Sequence, residues 1–224
     1  MTDFLSDRLR MVYRSIDKDR SRKGRVIDVG SDHGLLALTC LTEGITDFCI
    51  CTDIHKMPAQ RTDKCLEDHC LKGKYEVFCT DGLKGIDLRN YDTVVMAGLI
   101  GNTIMSVMEE VMVRTSHDIL EQVDFVLQPQ KTSDELRVFL GKNGFDIISE
   151  DVVIDRDLFY HLMVARFTGF NYDLTPLEKY YGPCLIKTDN DLVKRFHSHL
   201  DEIYKIRSRG NPELRKLMED RHVL

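Results

Sequence analysis

The fold is decided by the stretch Val26-Ile27-Asp28-Val29-Gly30-Ser31-Asp32-His33-Gly34. Apolar residues lead into an acidic residue and a glycine-containing turn, and an apolar pattern with helical spacing begins at Leu35. This order predicts a buried strand, a tight loop and a helix N-terminus, where an open α/β sheet holds a nucleotide-like ligand. The glycines allow close approach of the backbone, whereas the carboxylates disfavour a phosphate. The loop therefore suits a ligand with hydroxyls, an amine and a positive charge, such as S-adenosylmethionine (SAM), better than a pyrophosphate.

Strand-like and helical segments alternate over residues 24–167. The predicted strands are Val26–Val29, Phe48–Cys51, Tyr75–Cys79, Thr93–Met96, Phe125–Leu127, Phe145–Ile148, Val152–Ile154 and Tyr160–Arg166. The predicted helices are residues 4–16 (with Ser6 as a possible N-cap), Leu35–Leu41, Pro58–Cys70, one that ends near Val113, and one capped by Thr132 or Ser133 that stops at Asn143-Gly144. The alternation predicts a Rossmann-like α/β fold, with a mostly parallel sheet and helices on both faces.

The pattern changes near Thr168, where turn-rich sequence replaces the alternation. From Asp191 an apolar stripe with a period near 3.6 predicts a helix, and Asn211-Pro212 is typical of the start of another. We therefore predict a Rossmann-like domain over residues 1–168 and a small helical, coiled-coil-like domain over residues 169–224.

Composition restricts the class of protein. The chain has 224 residues, 42% hydrophobic and 30% charged, which suits one α/β domain with an appendage. No apolar run approaches the roughly 20 residues of a membrane span. The N-terminus lacks the basic and apolar regions of a signal peptide. We expect a cytoplasmic protein without membrane association.

The seven cysteines are scattered and include no C-x-x-C pair, so we expect neither a disulfide framework nor a zinc site. The nearest approach to a metal cluster is Cys65, His69 and Cys70, which lack a second ligand pair.

The charge is unevenly distributed along the chain. The net charge is −6, yet basic residues crowd residues 8–25 and 194–216. If these segments share one face, they form a basic track for nucleic acid; the alternative is a set of solvated helix faces.

Acidic residues or glycines occur at four successive strand ends, and together they indicate one cofactor site. Asp53 lies where a carboxylate can accept both ribose hydroxyls of an adenosine, and Asp81-Gly82 lies where the adenine edge would be met. NAD is the weaker choice, because the G-x-G-x-x-G fingerprint is absent. Each residue alone is also explained by capping or turn formation. The candidate cofactor residues are Asp28, Gly30, Ser31, His33, Asp53, Ile54, Asp81, Gly82, Ala97 and Gly98.

Several motifs carry a resemblance to a known family. The runs are Asp28-Val29-Gly30-Ser31-Asp32-His33, Ala97-Gly98, Leu127-Gln128-Pro129, Asn143-Gly144-Phe145 and Tyr181-Gly182-Pro183. In this order the chain resembles the bacterial tRNA (adenine-22-N1)-methyltransferase family over nearly its whole length. The resemblance implies a Rossmann-like methyltransferase domain, a helical domain that helps to hold tRNA, SAM as methyl donor, and N1 of an adenine in the D-arm region as acceptor.

The implied reaction suggests roles for further residues. Adenine N1 carries a lone pair, so alignment and charge stabilisation replace a strong general base. The candidate catalytic residues are Asp28, Asp32 and His33, although His33 is equally explained as a structural residue. The candidate substrate-binding residues are Leu99, Ile100, Tyr160, Arg8 and Arg10, for which packing roles are the alternative.

The chain departs from the family pattern at Ile100, where the family has glycine. This keeps two alternatives open: a non-catalytic SAM- or RNA-binding paralogue, and a methyltransferase with another substrate. The sequence is compatible with a monomer or a dimer.

Overall fold

The computed structural model of the chain describes residues 5–16 and 24–221. The strands are β1 (Val26–Val29), β2 (Cys49–Asp53), β3 (Tyr75–Cys79), β4 (Thr93–Leu99), β5 (Asp124–Pro129), β6 (Phe145–Asp155) and β7 (Leu158–Phe167). They form one sheet with the order β3-β2-β1-β4-β5-β7-β6. Strands β1 to β5 run parallel, and β7 is antiparallel to both of its neighbours. This architecture confirms the predicted Rossmann-like, mostly parallel sheet.

Helices cover both faces of the sheet. The helices are α1 (Asp7–Arg14), α2 (Leu35–Thr42), α3 (Lys56–Asp68), α4 (Gly101–Arg114), α5 (His117–Leu120), α6 (Ser133–Lys142), α7 (Pro176–Tyr181), α8 (Asp191–Arg207) and α9 (Pro212–Asp220). Helices α1 to α3 share one apolar core with the sheet, and α4 to α6 share the other. Because side chains alternate along a strand, β1 contributes Val26 to the first core and Ile27 to the second. The Ser6 hydroxyl accepts the Leu9 N–H at 3.3 Å, as the predicted N-cap requires.

The strand order reverses between β1 and β4, since the chain extends the sheet first towards β3 and then towards β5. In parallel α/β sheets, ligands bind at such a switch point, outside the carboxyl ends of the strands. The fold therefore places the loop after β1 and the bend at the end of β4 side by side.

Two local predictions were wrong. The predicted strands Phe145–Ile148 and Val152–Ile154 are one strand, β6, because a register shift between Ile147 and Ser149 lets pairing with β7 continue through the polar stretch. The side chain of Thr132 does not cap α6; this residue has a left-handed backbone, with φ of 59°, and its hydroxyl donates to the Lys131 carbonyl at 2.6 Å.

The C-terminal region is helical, as predicted. Its first helix, α7, was not predicted, because it lies in sequence rich in turn-forming residues. Helix α7 starts with a capping box between Thr175 and Glu178. Helices α7, α8 and α9 share an apolar cluster that includes Tyr181 and Leu214. A second cluster joins Phe196 of α8 to the sheet domain. Within the described residues, none of the helices is long and apolar enough to cross a membrane.

Candidate active site

Asp28 is a buried carboxyl group near the carboxyl end of β1. In the sheet it lies between Cys51 of β2 and Val95 of β4, and only 5% of the residue is exposed. Burial, and then the nearby Asp53, raise the pKa of Asp28 to about 7. Burial and the neighbouring Asp53 disfavour the charged form of Asp28. A cation bound beside Asp28 would lower its pKa again and favour the carboxylate.

The loop after β1 is held against β2 by its backbone. The N–H groups of Gly30 and Ser31 donate to the Thr52 carbonyl at 2.8 and 3.1 Å. Gly30 has a φ of +79°, and a Cβ there would lie 3.2 Å from the Leu99 side chain. The first and fourth strand ends are therefore in close contact, and a side chain in place of Gly30 would be both strained and crowded.

Asp32 and His33 lie on the outer part of this loop, where both side chains are more than half exposed. The Asp32 carboxylate forms an ion pair with Arg61 of α3 and lies 3.4 Å from His33 Nε2. The Thr62 hydroxyl donates to the Asp32 carbonyl at 3.1 Å. Arg61 and Thr62 thus fix the loop, and the sequence analysis missed both because only the packing of α3 brings them there.

The second strand ends in Asp53, which is 9% exposed. Its Oδ1 accepts the His55 N–H at 2.9 Å, and its carbonyl accepts the Thr80 N–H at the same distance. The intervening Ile54 is exposed. Since one carboxylate oxygen is used to orient the turn, the other is left for a ligand hydroxyl.

The third strand end is more open. Asp81 forms an exposed ion pair with Lys84 at 2.7 Å. Gly82 has a φ of +58°, and a Cβ there would lie 2.6 Å from the Val107 side chain of α4. Gly82 therefore lets the loop after β3 pack closely against α4.

The fourth strand bends at Gly98. The register between β4 and β5 shifts between Ala97 and Leu99, and Gly98 has a φ of +81°. A Cβ at Gly98 would lie 2.9 Å from Nη1 of Arg8. Ile100, which precedes α4, is 49% exposed. The bend therefore presents backbone and apolar surface at the same edge as Asp28 and Asp53.

Helix α1 brings Arg8 to this bend. Arg8 Nη1 donates to Gln128 Oε1 at 3.2 Å, and the guanidinium carbon lies 5.5 Å from the centroid of the Tyr160 ring. The Arg8 backbone N–H donates to the Asp155 carboxylate at 3.3 Å. The structure thus brings together Arg8, Tyr160 and Gly98, three residues predicted separately.

Other predicted positions have different surroundings. Arg10 contacts Asp7 and the Leu5 carbonyl, both at 3.3 Å, at the start of its own helix. Arg25 forms an ion pair with Asp92 at 2.6 Å just before β1, at the opposite edge of the sheet from Gly98. The basic residues at positions 18–23 lie outside the described residues. The charge of Arg25 is therefore neutralised by Asp92, and the basic track stays a prediction.

Gln128 contacts the predicted site residue Arg8, and the sequence analysis quoted it without assigning it a role. It is completely buried at the end of β5, and its amide nitrogen donates to the Pro129 carbonyl at 3.2 Å. A polar residue directly after the apolar Phe125–Leu127 run was the available signal. Within residues 5–16 and 24–221, no group of three or more His, Cys, Asp and Glu side chains is arranged to hold a metal.

Comparison with known proteins identifies the family of this chain. The sequence matches the family model for tRNA (adenine(22)-N(1))-methyltransferase over residues 26–221. A candidate tRNA methyltransferase of Mycoplasma pneumoniae is 28% identical over 177 residues, which cover 77% of this chain and 78% of the relative.

Solved structures show the same fold. The crystal structure of a candidate tRNA (m1A22) methyltransferase from Streptococcus pneumoniae has a TM-score of 0.80 and 25% identity, over 97% of this chain and 96% of that one. A structure of that protein in complex with SAM has a TM-score of 0.80 and 24% identity, over 99% and 100% of the two chains. The chain belongs to the tRNA (adenine(22)-N(1))-methyltransferase family and is a SAM-dependent methyltransferase of tRNA.

Proposed function

We propose that the strand-end residues of this chain hold SAM and direct its methyl group to N1 of an adenine in the D-arm region of tRNA. The observation that carries the proposal is the pair of buried carboxyl groups, Asp28 and Asp53, at adjacent strand ends. Within the described part of the chain, no Arg, Lys or His forms an ion pair with either of them. Two such groups repel each other, so the site fits a ligand that brings positive charge and hydroxyls.

Each cofactor residue has a role that its position supports. Asp53 accepts ribose hydroxyls through the oxygen that does not bind His55. Gly30, Ser31 and His33 line the loop, Ala97 and Gly98 face it from β4, and Ile54, Asp81 and Gly82 border the adenine. SAM supplies an electrophilic methyl group on a positively charged sulfonium. Asp28 lies deepest and offers a carboxylate to that positive charge.

The residues around Gly98 receive the acceptor base. Adenine N1 lies on the Watson–Crick edge, so the base must leave its stack before N1 can be aligned. Leu99 and Ile100 contact the exposed base, and Tyr160, held under Arg8, flanks it. Asp28 and Asp32 stabilise the positive charge that develops on the base, and His33 orients Asp32.

The helical region, residues 169–224, is the second part of the tRNA-binding surface in this proposal. Its basic side chains contact phosphates, and binding weakens steeply with salt. A cytoplasmic location belongs to the same proposal, because tRNA is found there. The enzyme is active as a monomer or a dimer.

The activity is tested with labelled SAM and unmodified bacterial tRNA, followed by mapping of the methylated nucleoside. We expect 1-methyladenosine in the D-arm region. SAM binding without transfer would instead support a binding protein, and a methyl group on another base would correct the acceptor.

The cofactor site is tested by Asp53→Ala. We expect SAM binding to weaken by about 1–3 kcal/mol, because charge-assisted hydrogen bonds to the ribose are lost. Isothermal titration calorimetry measures the change. Asp53→Asn removes the charge but keeps an amide oxygen that can accept the His55 N–H. Comparing the two variants therefore separates the effect of the charge from that of the orienting hydrogen bond. Asp87→Ala is the control, since the Asp87 side chain is 99% exposed. Unchanged SAM affinity in Asp53→Ala would place Asp53 outside the pocket.

A further inference from the structure

A groove separates the loop after β5 from helix α8. Its volume is about 250 Å³, and the loop side is formed by residues 130–134. The opposite side is formed by Phe196, Leu200, Ile203 and Tyr204 of α8. The groove is distinct from the loop after β1, and none of the roles proposed above uses it.

The groove begins beside the bend that receives the acceptor base. The Gln130 N–H donates to the Leu99 carbonyl at 2.8 Å. Gln130 Nε2 lies 3.7 Å from the position that a Cβ would take at Gly98. A polynucleotide that places one base at Gly98 therefore passes the mouth of this groove with its neighbouring nucleotide.

The inner wall combines aromatic surface with an unpartnered polar atom. The rings of His161 and Phe196 stack, with centroids 5.9 Å apart and planes 23° apart. His161 is 7% exposed, and its Nε2 is enclosed and has no hydrogen-bond partner. Burial, and then the nearby Arg137, lower the pKa of His161 to about 3, so the ring is neutral at pH 7. A buried polar atom without a partner is costly unless a ligand supplies one, and aromatic walls suit the faces of nucleobases.

The rim of the groove suits a phosphate. Helix α6 begins there without a side-chain cap, since the Thr132 hydroxyl bonds to Lys131. The first turn of α6 carries two acidic residues, of which Asp134 is neutralised by Arg207 at 2.7 Å and Glu135 is exposed. Lys131 is exposed and has no ion pair within the described part of the chain. The rim therefore combines a free ammonium group with a helix N-terminus.

We propose that this groove is a subsite for a second unstacked nucleotide of the tRNA, a neighbour of the methylated adenine. The base lies against the aromatic wall and pairs with His161 Nε2 after the side chains that enclose this atom shift aside, while its phosphate lies at Lys131 and the start of α6. The proposal rests on the proposed function, because it needs the acceptor base at Gly98.

The first test uses two matched variants of α8. Ile203 lines the groove and is 39% exposed, whereas Ile206 is 68% exposed and does not line it. Both Ile203→Glu and Ile206→Glu add one negative charge to the same helix. We expect Ile203→Glu to raise the KM and the Kd for tRNA about tenfold, as loss of one stacked base does. We expect Ile206→Glu to change either value by less than about twofold. The Kd for SAM, unchanged in both, reports that the variants are folded.

The second test needs no protein variant. Substrate tRNAs with a single abasic site, at each position within two nucleotides of the methylated adenine, are compared with intact tRNA. We expect one abasic position to lower kcat/KM about tenfold with the wild-type enzyme, and by less than about twofold with Ile203→Glu.

Three results would overturn the subsite: equal losses in Ile203→Glu and Ile206→Glu, no loss in Ile203→Glu, or abasic tRNAs that all react like intact tRNA. Selective loss with Ile203→Glu alongside unaffected abasic tRNAs would show that the groove holds another part of the RNA or a protein. Failure of the proposed function can be distinguished from failure of the subsite, because in the first case the wild-type enzyme would not methylate intact tRNA.

Discussion

At the residue level, the buried carboxyl group of Asp28 makes the stability of the folded protein depend on pH. Burial raises the pKa of Asp28 to about 7, whereas the ordinary pKa of an aspartate is 3.8, so the native protein keeps this proton up to a pH of about 7. Between these pH values the folded state binds more protons than the unfolded state, so stability falls as pH rises. A shift of about three pH units corresponds to a loss of up to about 4 kcal/mol across this range.

We expect Asp28→Asn to flatten this part of the pH profile, because an amide does not titrate. Urea unfolding between pH 4.5 and pH 7.5 measures the slope. Asp87→Asn, on an exposed side chain, should leave the slope unchanged. A wild-type protein whose stability rises steadily through this range would contradict the prediction.

Single residues at strand ends were accessible to sequence analysis because their chemistry is local. Asp28, Gly30 and Asp53 follow directly from apolar runs that end in acidic residues or glycine. Arg61 and Gln128 were not recognised as site residues, since no nearby pattern marks their partners. Arg61 meets Asp32 across 29 positions of sequence, and Gln128 meets Arg8 across 120.

Among the elements, α1 connects the N-terminal region to the site. Its helical spacing and the Ser6 cap were predictable, but its position across the end of β5 was not. We expect Arg8→Ala to destabilise the protein by about 1–3 kcal/mol, because the completely buried Gln128 Oε1 loses its donor. We also expect kcat/KM for tRNA to fall about tenfold, because Tyr160 loses the cation that holds it.

Arg14→Ala is the matched control for Arg8→Ala, since Arg14 is an exposed arginine of the same helix. Its effect on stability should stay within about 0.5 kcal/mol. Urea midpoints and steady-state kinetics on both variants measure the two effects. Equal behaviour of the two variants would remove Arg8 from the site.

At the scale of the whole molecule, a buried ion pair inside the sheet domain binds backbone groups of the C-terminal region. Arg137 Nε of α6 donates to Glu150 Oε1 of β6 at 2.9 Å, and both side chains are buried. Arg137 Nη1 also donates to the Lys179 carbonyl of α7 at 3.1 Å. The Cys184 N–H donates to Glu150 Oε2 at 2.9 Å. Three segments distant in sequence therefore share one charged centre.

We expect Arg137→Ala to destabilise the full chain by about 3–5 kcal/mol, because Glu150 remains buried without a counter-charge. Glu213→Ala breaks the exposed pair with Lys179 and should cost less than about 1 kcal/mol. Urea unfolding of both variants gives the comparison. A loss below about 1 kcal/mol in Arg137→Ala would show that the pair does not hold these segments together.

Apolar periodicity and the residues at strand ends were enough to predict the Rossmann-like fold and SAM as the ligand, whereas the family was implied by the resemblance of several motifs. The observed sheet and the family match confirm these predictions. Tertiary packing, in contrast, places Arg8 over Gly98, brings Arg61 to Asp32 and buries the pair of Arg137 and Glu150. Packing also makes β6 continuous and places a groove beside the bend at Gly98. The physical reason is that ion pairs, bulges and grooves arise between segments far apart in the chain, where packing rather than local spacing selects each partner.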